Sequence, residues 1–184
     1  TDWPEAARLF GQRLAGMGLA LDHVVGPDQA AASLWHGYRR DRSARLIREQ
    51  RTYILWPERF QDPGAAVPVR MASLDDLEPL VHASAAMYRE ETLSDPYGEN
   101  PDLFRRMHRH RILQRTSHLW RGNDGGFIFK TDVSCVGRSG AQLAGVYTHP
   151  DWRGLGIGRR ALGHLCRELL TQHRCLTLYV NTCN

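Results

Sequence analysis

The sequence predicts an α/β fold, and three observations predict it. Strand-like runs recur at 117–121, 126–136, 141–148 and 175–181. The span 159–173 places Ala161, Leu162, Leu165, Cys166, Leu169 and Leu170 along one stripe of an amphipathic helix. A glycine-rich stretch then joins the third strand run directly to that helix.

The elements follow in chain order. A helix is expected over 4–17, carrying Ala7, Leu9, Phe10 and Leu14 and stopping at Gly18. A strand is expected over 19–25, ending at Gly26-Pro27. Asp28 then caps a second helix with Ala31, Leu34, Trp35 and Tyr38. The stretch 45–56 reads as a strand again, clearest at Tyr53-Ile54-Leu55-Trp56. This first part is a small αβαβ segment. The prolines and glycine of 61–68 mark a linker, dividing an N-terminal αβ domain (1–62) from a second domain (67–184).

The second domain opens with a short strand at 69–71. Ser73 and Asp76 form an acidic variant of the capping box before a helix at 74–91, which Pro79 must kink or delay. Asn100-Pro101 is a cap and first-turn pair for the next helix, through Leu103, Phe104, Met107 and Ile112. Asn123-Asp124-Gly125-Gly126 supplies a hairpin turn between the first two strands of the later run.

Composition narrows the class. Hydrophobic residues make up 42% and charged residues 24% of the 184, as in soluble globular chains. No apolar run approaches the roughly 20 residues a membrane span needs. No signal-peptide pattern precedes the first helix, and the first residue, Thr1, is read as lying inside a longer frame. The four cysteines form neither a Cys-x-x-Cys pair nor a zinc spacing, so no metal is expected. Cys166 reads as a small buried hydrophobe, and a reducing, cytoplasmic setting is expected. The net charge is +4, and the densest basic run is 105–111, whose basic residues spread around a helix. A solvated helix face is expected there rather than nucleic-acid contact.

The informative run is Ala144-Gly145-Val146-Tyr147-Thr148-His149-Pro150-Asp151-Trp152-Arg153-Gly154-Leu155-Gly156-Ile157-Gly158-Arg159. Three glycines at alternate positions let the backbone approach a ligand and turn its N–H groups inward. The helix that follows adds unpaired N–H donors and the positive end of its dipole, a combination that favours a phosphate or diphosphate. The loop is not a P-loop, because no Gly-Lys-Ser/Thr follows, and Gly-x-Gly-x-Gly is not the dinucleotide spacing Gly-x-Gly-x-x-Gly. A tight turn that needs glycine only for its dihedrals is the remaining alternative. Against it stand the preceding strand, Pro150, Arg153 and the helix directly after.

Arg153-Gly154-Leu155-Gly156-Ile157-Gly158 resembles the pyrophosphate-binding signature of GNAT acetyltransferases, Gln/Arg-x-x-Gly-x-Gly/Ala. The resemblance covers about 67–184 and implies a mixed twisted sheet with flanking helices. It implies that Val146, Tyr147 and Thr148 pair with the pantetheine arm of acetyl-CoA, and that Arg153, Gly154, Leu155, Gly156, Ile157, Gly158 and Arg159 hold its phosphates. Leu178 to Asn184 is similar to the family's fifth strand and its exit, so Asn184 inherits a cofactor contact. Looser likenesses at Val25-Gly26-Pro27, Leu34-Trp35, 85–91 and Phe129-Lys130 resemble a bacterial two-part type with a domain of unknown function in front. The family continues beyond that Asn with a segment bearing a Tyr that protonates the departing thiolate, so the chain is read as truncated after its fifth strand.

The resemblance implies direct transfer of an acetyl group from acetyl-CoA to a primary amine on a small molecule or protein. The alternative is a non-catalytic acyl-CoA-binding module. A backbone N–H of 146–148 is the expected carbonyl polariser. Glu90 and Glu91, adjacent carboxylates at a helix end, are the candidate general bases, against a solvated helix end. His149 is expected to order the turn before Pro150, and Tyr88 to be core. A homo-oligomer and the identity of the acceptor stay open.

Overall fold

The computed structural model describes residues 3–21, 23–39, 44, 46–92 and 94–182. Within them the chain divides into two compact units, one of 1–50 with 181–182 and one of 51–180. The division falls ahead of the Pro63–Pro68 stretch. That stretch instead packs on the last helix of the second unit. Arg167 pairs there with Asp62 and donates to the Gly64 carbonyl at 3.2 Å. Among the described residues no helix is long and apolar enough to cross a membrane.

The first unit is a helix pair, α1 (Trp3–Gly16) and α2 (Asp28–Tyr38). The two meet at buried Gly11 and Gly37, where a Cβ on either would lie 2.1 Å from a carbonyl oxygen of the other helix. Asp28 is the first helical residue rather than the cap: Pro27 takes the cap position and offers no side-chain acceptor. The strand expected at 19–25 is not formed among the described residues. The Leu21 amide instead donates to the Tyr38 hydroxyl at 3.0 Å, and that hydroxyl donates to the Leu19 carbonyl at 2.7 Å. A side chain thus satisfies backbone groups that a ladder would have used.

Among the described residues the sheet has six strands in the order β1-β6-β5-β4-β3-β2. They are β1 (Gln50–Leu55), β2 (Arg70–Met71), β3 (Ser117–Arg121), β4 (Phe127–Val136), β5 (Ala141–Thr148) and β6 (Leu176–Asn181). The front strand β1, inside the run expected at 45–56, is an edge of this sheet, so of the expected αβαβ segment the two helices and the second strand are formed among the described residues. From β2 to β5 neighbours pair antiparallel, while β5 and β6 are parallel. The sheet is mixed, as expected.

Four more helices flank it: α3 (Leu77–Thr92), α4 (Pro96–Glu99), α5 (Pro101–Leu113) and α6 (Ile157–Leu169). The capping box at Ser73 and Asp76 starts a 3-10 turn, and α3 follows with Pro79 in its first turn, where a missing N–H costs nothing. Asn100 caps α5 by accepting from the Leu103 amide at 3.0 Å. Ile157, Ala161, Leu165 and Cys166 of α6 share the main core with Phe129, Val133, Leu143 and Leu176. Burial pushes the Cys166 thiol up to about 11, so it stays a neutral apolar group. On β5, Val146 packs into that core and Tyr147 packs beside Met87 of α3. Consecutive strand residues face opposite ways, so α6 and α3 cover opposite faces.

The basic helix α5 spreads its charges as expected. Arg105 pairs with Glu78, His108 is buried, and Arg111 points toward β4.

Candidate functional site

The site begins at a bulge in β5. Pairing runs from Asp132↔Ala144 to Lys130↔Tyr147, so β5 advances from 144 to 147 while β4 advances from 132 to 130. The extra residue is accommodated at Gly145, whose φ of +59° disfavours residues with a side chain. A Cβ there would also stand 2.9 Å from Lys130 Nζ. Parallel pairing with β6 is recorded at Ala141↔Leu176, Gln142↔Thr177 and Leu143↔Leu178, ahead of the bulge. The two strands therefore splay where Val146, Tyr147 and Thr148 lie.

The turn after β5 leads into the glycine loop. His149 Nδ1 accepts from the Asp151 amide at 3.3 Å, which orders the 3-10 turn Pro150–Trp152. Gly154 and Gly156 both have positive φ, +75° and +72°, and no protein atom lies within 4 Å of a Cβ built on either. The first amide of the region to find a carbonyl is Arg160, which donates to Gly156 at 3.1 Å. Among the described residues, the amides from Gly154 to Arg159 have no backbone partner. They end at the N-terminus of a helix that is 13 residues long. Donors and dipole together make a cradle suited to a diphosphate.

Side chains in this run do different work from its backbone. Ile157 is buried in the main core and anchors α6, whereas Leu155 and Arg159 are exposed. Gly158 is a point of close approach: a Cβ there would lie 2.8 Å from Thr148 Oγ1. Its bare backbone lets α6 start against the end of β5.

Glu90 joins the predicted pieces. Its carboxylate accepts from the Tyr147 hydroxyl at 2.9 Å and from Arg153 Nη2 at 2.8 Å. Arg153 also donates through Nε to the Thr148 carbonyl at 3.0 Å, and its guanidinium lies 5.2 Å from the Tyr147 ring centroid. Burial first, and then the bond to Glu90, raise the Tyr147 phenol above its ordinary value, so it remains a donor. Glu91 follows on the same turn, half-buried. Asn184 lies outside the described residues. Tyr88 packs edge-on to Phe104, with centroids 5.8 Å apart.

Beside the bulge lies a cavity of about 380 Å³. Met87 and Tyr88 of α3, His110, Arg111 and Gln114 at the end of α5, Asp132 to Ser134, and Ala144-Gly145 line it. Its floor is charged. Lys130 is 1% exposed, and its Nζ donates to the Gly145 carbonyl at 3.0 Å and to Asp132 Oδ2 at 3.3 Å. Ser117 Oγ donates to Asp132 Oδ1 at 2.6 Å. Burial opposes charge on Asp132. Lys130, the Ser117 hydroxyl and Arg111 outweigh it and hold the carboxyl below its ordinary value. Among the described residues no group of three His, Cys, Asp or Glu side chains is placed to hold a metal.

A family model described as "Acetyltransferase (GNAT) family" matches residues 84–184, more than half the chain and the whole of the splay, loop and cavity. This chain belongs to the acetyltransferase (GNAT) family. The GNAT fold recurs in solved structures. An acetyltransferase from the GNAT family of Colwellia psychrerythraea superposes with a TM-score of 0.61 at 13% identity, over 97% of this chain and 64% of that one. A GCN5-related N-acetyltransferase from Ralstonia eutropha JMP134 gives 0.53 at 19% identity, over 62% and 84%. A tandem GNAT protein from the clavulanic acid biosynthesis pathway gives 0.50 at 13%, over 90% and 54%. The chain thus spans under two thirds of the length of the first and third of these. At such identities the likeness concerns the fold alone. No curated protein matches the sequence.

Within this GNAT chain no sequence motif joins Lys130, Asp132 and Gly145 as a set. A signal was present. Lys130 and Asp132 stand two apart in a strand otherwise rich in Phe, Ile and Val, which places both charges on one buried face.

Proposed function

We propose that this GNAT chain binds acetyl-CoA across the splayed end of β5 and transfers its acetyl group to a primary amine. The observation that carries the reading is the set of unpartnered amides from Gly154 to Arg159, beside a strand that has left its parallel neighbour. The residues fit the ligand: both positive-φ glycines leave open space where side chains would otherwise stand. Gly154, Leu155, Gly156, Gly158 and Arg159 offer backbone donors to the diphosphate, with Ile157 as the buried anchor. Arg153 holds the loop against Thr148. The backbone of Val146, Tyr147 and Thr148 is free of β6 and offers a ladder edge to the pantetheine arm. A preorganised N–H there polarises the thioester carbonyl. As the amine nitrogen bonds to the acetyl carbon, the carbon–sulfur bond breaks, the thiolate departs and the amine gives up a proton. Glu90 and Glu91, at the end of α3, are the proposed acceptors of that proton, and Asn184 a further cofactor contact. Residues 67–184 form the transfer domain in this reading, with β1 of the 1–62 part added to the edge of its sheet.

Isothermal calorimetry with acetyl-CoA tests it. Saturable binding is expected, and Gly156→Val should abolish it, because a β-branched residue resists φ near +70° and fills the cradle. Failure of the native chain to bind at millimolar acetyl-CoA would end the reading.

A further inference from the structure

The cavity beside Gly145 has a chemistry of its own, and the family motif does not touch it. It is walled by one carboxylate, Asp132, and one guanidinium, Arg111, whose Nη1 and Oδ2 atoms stand 3.7 Å apart. That gap is beyond hydrogen-bond reach. Arg111's guanidinium makes no hydrogen bond among the described residues. Asp132 accepts two, from Ser117 and Lys130, and a carboxylate has capacity for about four. Both groups therefore have free valence at the cavity, close together and opposite in sign.

We propose that this cavity is the acceptor site, and that it selects an α-amino acid by binding its ammonium at Asp132 and its carboxylate at Arg111. The proposal rests on the acetyltransfer reading above and gives its acceptor a class. The short separation of the two wall charges matches a ligand whose own charges sit on one carbon. An amine with a remote acid, or none, leaves the Arg111 fork without a carboxylate to bind in two places and forgoes those charge-assisted bonds. An ionised Asp132 suits an ammonium ligand. Arg111 presents the planar fork that matches a carboxylate. Met87 and Tyr88 supply an apolar wall for a side chain, and about 380 Å³ is at the small-molecule end of binding cavities. Gly145 borders both this cavity and the segment proposed for the thioester, so the bound amino group, once its ammonium has given one proton to solvent, lies beside the bond to be broken and gives up its second proton as the amide forms. Lys130 is a positioning residue here: it holds the Gly145 carbonyl and Asp132 together from below.

The test is ligand-observed NMR on the native chain with the natural α-amino acids, followed by acetylation assays with acetyl-CoA. For the amino acid bound best, its methyl ester, its desamino acid and 6-aminohexanoate are compared. Each should bind about tenfold or more weakly. Arg111→Gln should remove the preference for the acid over the ester, with acetyl-CoA binding as the control for folding. Asp132→Asn should weaken the amino acid and the ester together. It also strands the buried Lys130, so Arg111→Gln and the native-chain comparison carry the decision. Equal binding of acid and ester, preference for 6-aminohexanoate, or no amino acid bound by a chain that binds acetyl-CoA would each overturn the proposal. Amino-acid binding without acetyl-CoA binding would instead uphold the cavity and remove the acetyltransfer reading.

Discussion

The carboxylate of Glu90 and the guanidinium of Arg153 meet at 2.8 Å, joining the end of α3 to the mouth of the glycine loop across 63 positions of sequence. Both side chains are nearly half exposed, at 44% and 46%, so the pair adds at most about 1 kcal/mol to stability. Its consequence is geometric. Glu90→Gln keeps one acceptor and replaces the other with a donor that faces Arg153. The expected outcome for a proton acceptor is an unchanged melting temperature with kcat lowered by about a hundredfold or more. A several-fold higher KM for acetyl-CoA with kcat unchanged would instead make Glu90 a tether to Arg153.

Gly158 and Thr148 set how closely α6 can start against β5. Gly158→Ala places a Cβ 2.8 Å from Thr148 Oγ1, so the helix start must shift and the cradle with it. Acetyl-CoA affinity should fall, while the double variant Gly158→Ala/Thr148→Ala, which clears the obstacle, should recover most of it. Calorimetry on the three proteins reads this directly. A double variant no better than the single would place the defect elsewhere.

Asp76 is buried, caps the turn before α3 and meets two arginines, Arg70 at 2.7 Å and Arg121 at 3.3 Å. Burial alone would raise its carboxyl, but Arg70 and the Ser73 amide and hydroxyl hold it well below its ordinary value of 3.8. A depressed carboxyl stabilises the fold above the unfolded-state pKa and loses that contribution as pH drops below it. Asp76→Asn should cost about 1–2 kcal/mol at pH 7, by losing charge-assisted bonds to Arg70 and to the Ser73 amide, both arginines staying partly exposed. The difference from the native chain should narrow below about pH 4, where the native contribution itself fades. Urea denaturation at both pH values measures it.

His108 senses a different window. Burial, with Arg111 and Lys130 nearby, pushes its ring down to about 4, although the Phe104 carbonyl and Asp132 act the other way. Between about pH 4 and the ordinary 6.5 the unfolded chain takes a proton that the folded chain refuses, so stability falls as pH drops through that range. The loss is on the order of 3 kcal/mol at its fullest. His108→Met should flatten this part of the urea-midpoint profile and leave the limb below pH 4, which belongs to Asp76 and Asp132.

Much of this was legible in the chain itself. The caps at Ser73-Asp76 and Asn100-Pro101, the hairpin at Asn123–Gly126, the stripe of α6 and the glycine loop are each written within a few residues. Dihedral preference, a capping oxygen and helical periodicity act over that span, so the sequence by itself determined the strand–loop–helix unit. It misled at 19–25, where an apolar run looked like a strand and Tyr38 claimed the backbone groups instead. Only the tertiary structure decided that Glu90 reaches Arg153, that Gly145 bulges over Lys130, and that Arg111 and Asp132 face one cavity. Such contacts join residues far apart in sequence, and only the folded chain brings them together. No local preference encodes which distant charge will share a buried space until the packed core has excluded water from it.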